Sequence, residues 1–140
     1  MSIDFSGPFG QKALVQLRDE HAIWLTTVGA TSNTPQPNVI WFLYEDGDVV
    51  IYTQPGYQRL KNIAKNPRVS LNFNSQEDGE AMTIFTGTAV VDESIPPVVD
   101  NPAYVEKYAR WMEHIDTTPE KMSDEYTVAI RIRLDKLRGW

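Results

Sequence analysis

Hydrophobic and polar positions follow two different rhythms along this chain, and the changes of rhythm mark its elements. Residues 10–20 carry Ala13, Leu14 and Leu17 at helical spacing, with Gln11, Lys12, Arg18 and Asp19 on the other sides, which predicts a helix. From Ala22 the period shortens. Ala22–Val28 reads as a strand and Gly29 with Thr31–Pro35 as a turn. Val39–Tyr44 is a near-continuous apolar run, the pattern of a strand buried on both faces. Glu45-Asp46-Gly47-Asp48 reads as a hairpin turn, because Asp-Gly accepts positive φ angles at little cost. Val49–Thr53 is β-branched or aromatic throughout, a strand again.

Pro55-Gly56 breaks that strand, and Leu60, Ile63 and Ala64 then form the apolar stripe of a short helix that Pro67 ends. Arg68–Asn74 alternates, with Val69, Leu71 and Phe73 inward. Ala81–Val91 is a long strand whose central Gly87 points to a bulge or a barrel corner. Tyr104, Tyr108, Trp111, Met112 and Ile115 predict a helix over Pro102–His114. Thr117-Thr118-Pro119-Glu120 reads as a helix start, with a capping threonine, proline in the first turn and Glu120 completing a capping box. Tyr126–Leu134 returns to period two, and Asp135–Trp140 closes the chain. About six strands joined mainly by turns predict a mainly β (α+β) antiparallel barrel with peripheral helices, not a sheet of βαβ units. With no repeat, low-complexity tract or linker, residues 1–140 read as one domain.

Composition narrows the function more than the fold. The absence of cysteine excludes disulfides, thiolate metal sites and a cysteine nucleophile. No apolar run approaches the roughly 20 residues a membrane helix needs. The Met1–Phe5 segment lacks a basic and an apolar leader region, so a cytoplasmic protein without a membrane partner is expected. A net charge of −6 argues against nucleic acid. The basic residues cluster in the 58–68 helix and at Arg131, Arg133 and Arg138, which suits a small anionic molecule.

Candidate chemistry is sparse. His21 and His114 lie far apart in the chain and show no metal-ligand spacing, so no metal site is expected. No GxSxG elbow or glycine-rich phosphate loop occurs. The carboxylate pairs Asp78/Glu80, Asp92/Glu93 and Asp124/Glu125 fall at turns and element ends, where solvated roles are the rule. No catalytic residue is assigned. Such a chain can still be an enzyme if a cofactor supplies the chemistry. The start of the helix after Pro55-Gly56 is then the main clue. Gln58, Arg59 and Lys61 fall in its first turn, where backbone amides lack partners and the dipole is positive, a setting for phosphate. Cations that merely face water are the alternative reading.

Read in order, several stretches resemble one family. Trp24–Val28, Pro35-Gln36-Pro37, Val39–Phe42, Ile51–Pro55, Arg59–Ile63, Asn66–Val69 and Gly87-Thr88-Ala89 are similar to the flavin and deazaflavin oxidoreductases of the pyridoxamine 5′-phosphate oxidase-like superfamily. Tyr104–Tyr108, Thr118-Pro119-Glu120, Tyr126, Ile130-Arg131-Ile132 and Arg138-Gly139-Trp140 resemble its F420-dependent branch. The resemblance implies an FMN-binding type of split β-barrel, a homodimer with cofactor grooves between subunits, and F420 or FMN as cofactor. It implies that Pro37, Asn38, Val39, Ile40, Trp41 and Phe42 run beside the ring. Tyr52 and Thr53, followed by Gln54 and Pro55, would contact the ribityl and phosphate end. Gln58 and Arg59, with Lys61 close by, would hold the phosphate. Gln58 stands where pyridoxamine phosphate oxidases carry arginine, and Arg59 where lysine is more usual.

The implied function is hydride transfer between deazaflavin F420 and an unidentified small organic substrate, with Tyr104, Tyr108 and Trp111 on the substrate side or in the core. An FMN-dependent oxidase or reductase, or a non-catalytic flavin- or haem-binding split barrel, are the alternatives. A basic groove running past Arg59, Lys61 and Lys65 would favour F420 with its anionic tail, and a ring stacked on Trp41 would favour FMN.

Overall fold

The computed structural model describes residues 2–140. Helix α1 spans Pro8–Asp19, followed by strands β1 (Ile23–Val28), β2 (Pro35–Ile40), β3 (Leu43–Glu45) and β4 (Asp48–Thr53). Helix α2 (Gln58–Lys65) separates these from β5 (Arg68–Asn72) and β6 (Thr83–Val91). After a short 3₁₀ turn at Val98–Asp100 come α3 (Pro102–His114), α4 (Pro119–Glu125) and β7 (Val128–Gly139). All seven strands form one antiparallel sheet in the order β2-β1-β5-β6-β7-β4-β3, curled into a split half-barrel.

The expected strand over Val39–Tyr44 is broken. β2 ends at Ile40 and pairs with β1, whereas β3 starts at Leu43 and pairs with β4 at the far edge of the sheet. The two edge strands are therefore joined by Trp41 and Phe42 alone, and three Cα steps hold the edges within ~11 Å of each other at this corner. The strand buried on both faces is β4. Its Val49 and Ile51 join the barrel interior with Phe42, Leu71, Phe85 and Ile132. Its Val50 and Tyr52 pack outside, against Tyr104, Tyr108 and Met112 of α3. Alternation is hidden in β4 because both of its faces are apolar for different reasons.

Two local signals are realised as read. Asp46 and Gly47 have φ angles of 45° and 91°, the doubly positive turn that a tight hairpin needs. Thr118 caps α4 by accepting from the Lys121 N–H (3.1 Å), with Pro119 as the first helical residue. Because Thr118 and not Thr117 is the cap, Glu120 sits one place too early to close a capping box. The last strand also runs further than expected, to Gly139, since residues 137–139 pair with 83–85.

The bulge lies where Gly87 announced it. Thr86 pairs with Lys136 and Gly87 with Leu134, so Asp135 on β7 is the extra residue. Its carboxylate turns out to accept from Arg68 and from Thr86 Oγ1 (3.1 Å). A Cβ at Gly87 would run into the backbone carbonyl of Arg133. Gly87→Ala should therefore destabilise by about 1–3 kcal/mol, read as a lower urea midpoint with unchanged m-value.

Candidate functional site

A cavity of about 610 Å³ opens where the broken β2–β3 corner, the end of β4, the start of α2 and the α3–α4 segment converge. That volume is ordinary for a small-molecule site. Val39, Ile40 and Trp41 supply one wall, Tyr52 and Thr53 the floor, and Tyr57 and Arg59 the mouth by α2. Tyr104, the Ile115–Thr117 turn, and Lys121, Met122, Glu125 and Tyr126 close the other side. Val39, Tyr57 and Ile115 expose 53%, 39% and 59% of their surface around it, an apolar rim left open to solvent.

Thr53 and Arg59 stand in this cavity without partners. Among the described residues, Thr53 Oγ1 is the single buried side-chain nitrogen or oxygen with no hydrogen-bond partner. An unpaired buried hydroxyl is costly, so such groups mark places where something else completes the site. Arg59 is half-buried, and burial pulls its affinity for a proton below the usual arginine value. It forms no ion pair among the described residues, and its guanidinium lies 5.5 Å from the Tyr57 ring centroid. No side chain caps the start of α2, where Tyr57 and Arg59 line the cavity. A cation without a carboxylate, a hydroxyl without a partner and an uncapped helix start together suit a phosphate group. Asp116, Lys121 and Glu125 lie elsewhere on the wall, so that side carries charge of both signs.

Of the residues singled out from sequence, Val39, Ile40, Trp41, Tyr52, Thr53 and Arg59 come together here. Pro37 and Asn38 are exposed on edge strand β2 outside the lining. Phe42 is fully buried in the barrel, 5.9 Å from Phe73 between ring centroids. Gln54 and Pro55 lie outside the lining, and Lys61 is exposed away from it. Gln58 turns from the cavity to donate to Asn62 Oδ1 (3.0 Å). Lys65 donates to the Ala30 carbonyl (2.6 Å), so the basic run of α2 does not extend along the cavity.

Sequence reading missed Tyr57, Tyr126 and the 115–125 wall. Tyr57 was legible as the residue before a helix start, but the wall is long-range in origin. Of the three aromatic residues of α3, Tyr104 lines the cavity, while Tyr108 is core. Trp111 stacks on His21 at 3.9 Å and meets His114 edge-on at 6.0 Å, so the two distant histidines flank one indole.

Lys107 of α3 is a further perturbed group. Burial lowers its pKa to about 8, opposed by Asp19 and Glu20. The folded state then binds fewer protons than the unfolded chain between about pH 8 and 10.5. Its contribution to stability is complete above that window and is lost as pH falls through about 8. Compared with Lys107→Met, the parent should therefore gain stability as pH rises from 7 to 10.5, measured by denaturant midpoints of both proteins.

Residues 9–140 match the family model described as pyridoxamine 5′-phosphate oxidase. None of the curated proteins matches in sequence. Among solved structures, the chain is similar to a putative pyridoxamine 5′-phosphate oxidase from Listeria innocua, with 20% identity over 91% of this chain and 94% of that one and a TM-score of 0.64. It is similar to an F420 reductase, with 22% identity over 89% and 94% and a TM-score of 0.62. It is also similar to the haem storage protein HutZ from Vibrio cholerae, with 16% identity over 92% and 93% and a TM-score of 0.63. At these identities the likeness shows the fold.

Proposed function

The chain belongs to the pyridoxamine 5′-phosphate oxidase family, and from that premise we propose that it is an oxidoreductase using the deazaflavin F420 to act on a small organic molecule. The observation that carries a phosphorylated cofactor is the pairing of unpartnered Thr53 Oγ1 with the unpaired Arg59 in one cavity. Arg59, Thr53 and the first amides of α2 would hold the phosphate, and Val39, Ile40 and Trp41 would lie along the ring. When bound, such a cofactor supplies the hydride chemistry that these side chains lack. The chain's own part is to bind, to orient and to exclude water with Tyr52, Tyr104 and Tyr126. The choice of F420 rests on the resemblance of the C-terminal half to the F420-dependent branch, the half that builds the 115–126 wall, and on the similarity to an F420 reductase.

FMN is the second reading, and a specific observation favours it. Lys61 and Lys65 point away from the cavity, so Arg59 is the basic group of α2 that serves it. With Lys121 of α4 as the other cation of the lining and none following Arg59 along α2, the site suits a single terminal phosphate better than a long anionic tail. A homodimer belongs to this proposal: the apolar rim of Val39, Tyr57 and Ile115 and the exposed edge strand β2 leave the cavity open on the side where a second copy would complete it.

Titration of purified protein with F420 and with FMN, followed by cofactor fluorescence, tests the reading. Binding of F420 alone supports it, and binding of FMN alone transfers it to the flavin alternative. Binding of neither overturns the cofactor site.

A further inference from the structure

We propose that Tyr108, backed by Lys107, is the positioning residue that sets the Trp41 ring in the cavity, and through it the fit of a flat tricyclic ring. This rests on the cofactor reading above, but the geometry stands by itself. Trp41 and Phe42 are the two residues at which the sheet is broken, so their backbone groups have no strand neighbour. Helix α3 supplies the missing partners of Phe42 from side chains. The Phe42 N–H donates to the Tyr108 hydroxyl (2.7 Å), and Lys107 Nζ donates to the Phe42 carbonyl (2.8 Å). The single Tyr108 proton serves the carbonyls of His21 (2.8 Å) and Phe42 (2.7 Å). Because Lys107 already satisfies Phe42, that proton can hold His21, which leads into β1. One hydroxyl thus ties the ends of β1 and β2 to α3.

The same tyrosine fixes the side chain. Its ring stacks on Trp41 with centroids 4.6 Å apart and planes 5° apart, while Lys107 sits 3.7 Å from the Phe42 ring centroid. Tyr108 itself is fully buried, wedged against Tyr104 at 4.8 Å. Trp41 is half-buried and lines the cavity, and Tyr108 does not. Tyr108 therefore acts on a ligand through Trp41, whose indole plane it dictates.

The test reads Trp41 first without ligand. Protein labelled with 5-fluorotryptophan gives one fluorine resonance for each of Trp24, Trp41, Trp111 and Trp140, and Trp41→Phe assigns that of Trp41. Tyr108→Phe keeps the ring and removes the hydroxyl; it should shift or broaden the Trp41 resonance and leave those of Trp24 and Trp140 in place. Whichever cofactor the parent binds is then compared with its phosphate-free chromophore, riboflavin for FMN or the riboflavin-like deazaflavin for F420. Tyr108→Phe should weaken both about three- to tenfold, the range of an aromatic stack, leaving their ratio unchanged. Lys107→Met should do the same to a smaller extent and serves if Tyr108→Phe does not fold. An unmoved Trp41 resonance, or a loss confined to the phosphorylated form, overturns the proposal. If the parent binds neither cofactor, the cofactor reading falls and the fluorine result alone decides whether Tyr108 holds Trp41.

Discussion

Arg59→Ala should weaken binding of the phosphorylated cofactor by roughly 30- to 100-fold, the equivalent of about 2–3 kcal/mol for a charge-assisted contact. The magnitude follows from the setting. Arg59 is half-buried beside Tyr57, forms no ion pair among the described residues and stands at an uncapped helix start. A phosphate there would meet a fork of guanidinium donors in a partly desolvated site, where each is worth more than in water. The phosphate-free chromophore should lose little affinity, so the loss collapses the ratio between the two ligands. Fluorescence titration of both ligands reads it, and an unchanged ratio would place the phosphate elsewhere. Folding offers a control. Burial disfavours the charge of Arg59 in the free protein, so its removal should leave the melting temperature unchanged or slightly raised.

Asn62→Ala should destabilise the protein by about 2–4 kcal/mol, lowering Tm by roughly 10 °C. Asn62 is 1% exposed and uses its whole hydrogen-bonding capacity. Its Oδ1 accepts from the Ala30 N–H (2.9 Å) and from Gln58 Nε2 (3.0 Å). Its Nδ2 donates to Thr27 Oγ1 (2.9 Å) and to Gln36 Oε1 (2.9 Å). One amide thereby joins α2 to β1, to β2 and to the turn between them. Truncation leaves the Ala30 N–H and the Thr27 hydroxyl without these partners, and an unmade buried bond costs more than a made one contributes. The same network holds Gln58, so the start of α2 should loosen and cofactor affinity should fall together with stability. A variant of parental stability would show that water replaces the amide without loss. Thermal melts and urea titrations distinguish the two.

Local chemistry was legible wherever a short stretch decides its own conformation. Helix α3 has the expected bounds, because Pro102 starts it and the buried positions Tyr104, Tyr108 and Met112 recur every fourth residue. The Asp46-Gly47 turn, the Thr118 cap and the bulge opposite Gly87 are likewise decided by backbone preference within a few residues. Gln58 shows the limit. Its place at a helix start marked it as a phosphate contact, but a buried asparagine one turn later holds its amide.

The pattern of residues by itself determined that this chain makes antiparallel strands with helices set around them, and it singled out the helix start at Gln58, Arg59 and Lys61 as the place where a phosphate was expected. Tertiary structure decided the rest. It placed the ends of β2 and β4, the start of α2 and the wall from Tyr104 to Tyr126 around one cavity, although these pieces lie up to 87 residues apart in the chain. It broke Val39–Tyr44 at Trp41 and Phe42, since the barrel's two edges had to meet there and α3 could supply the missing hydrogen bonds. The physical reason is common to both. Periodicity records which face of an element is buried, whereas the partner on that face is chosen by contacts between distant segments, which leave no local trace.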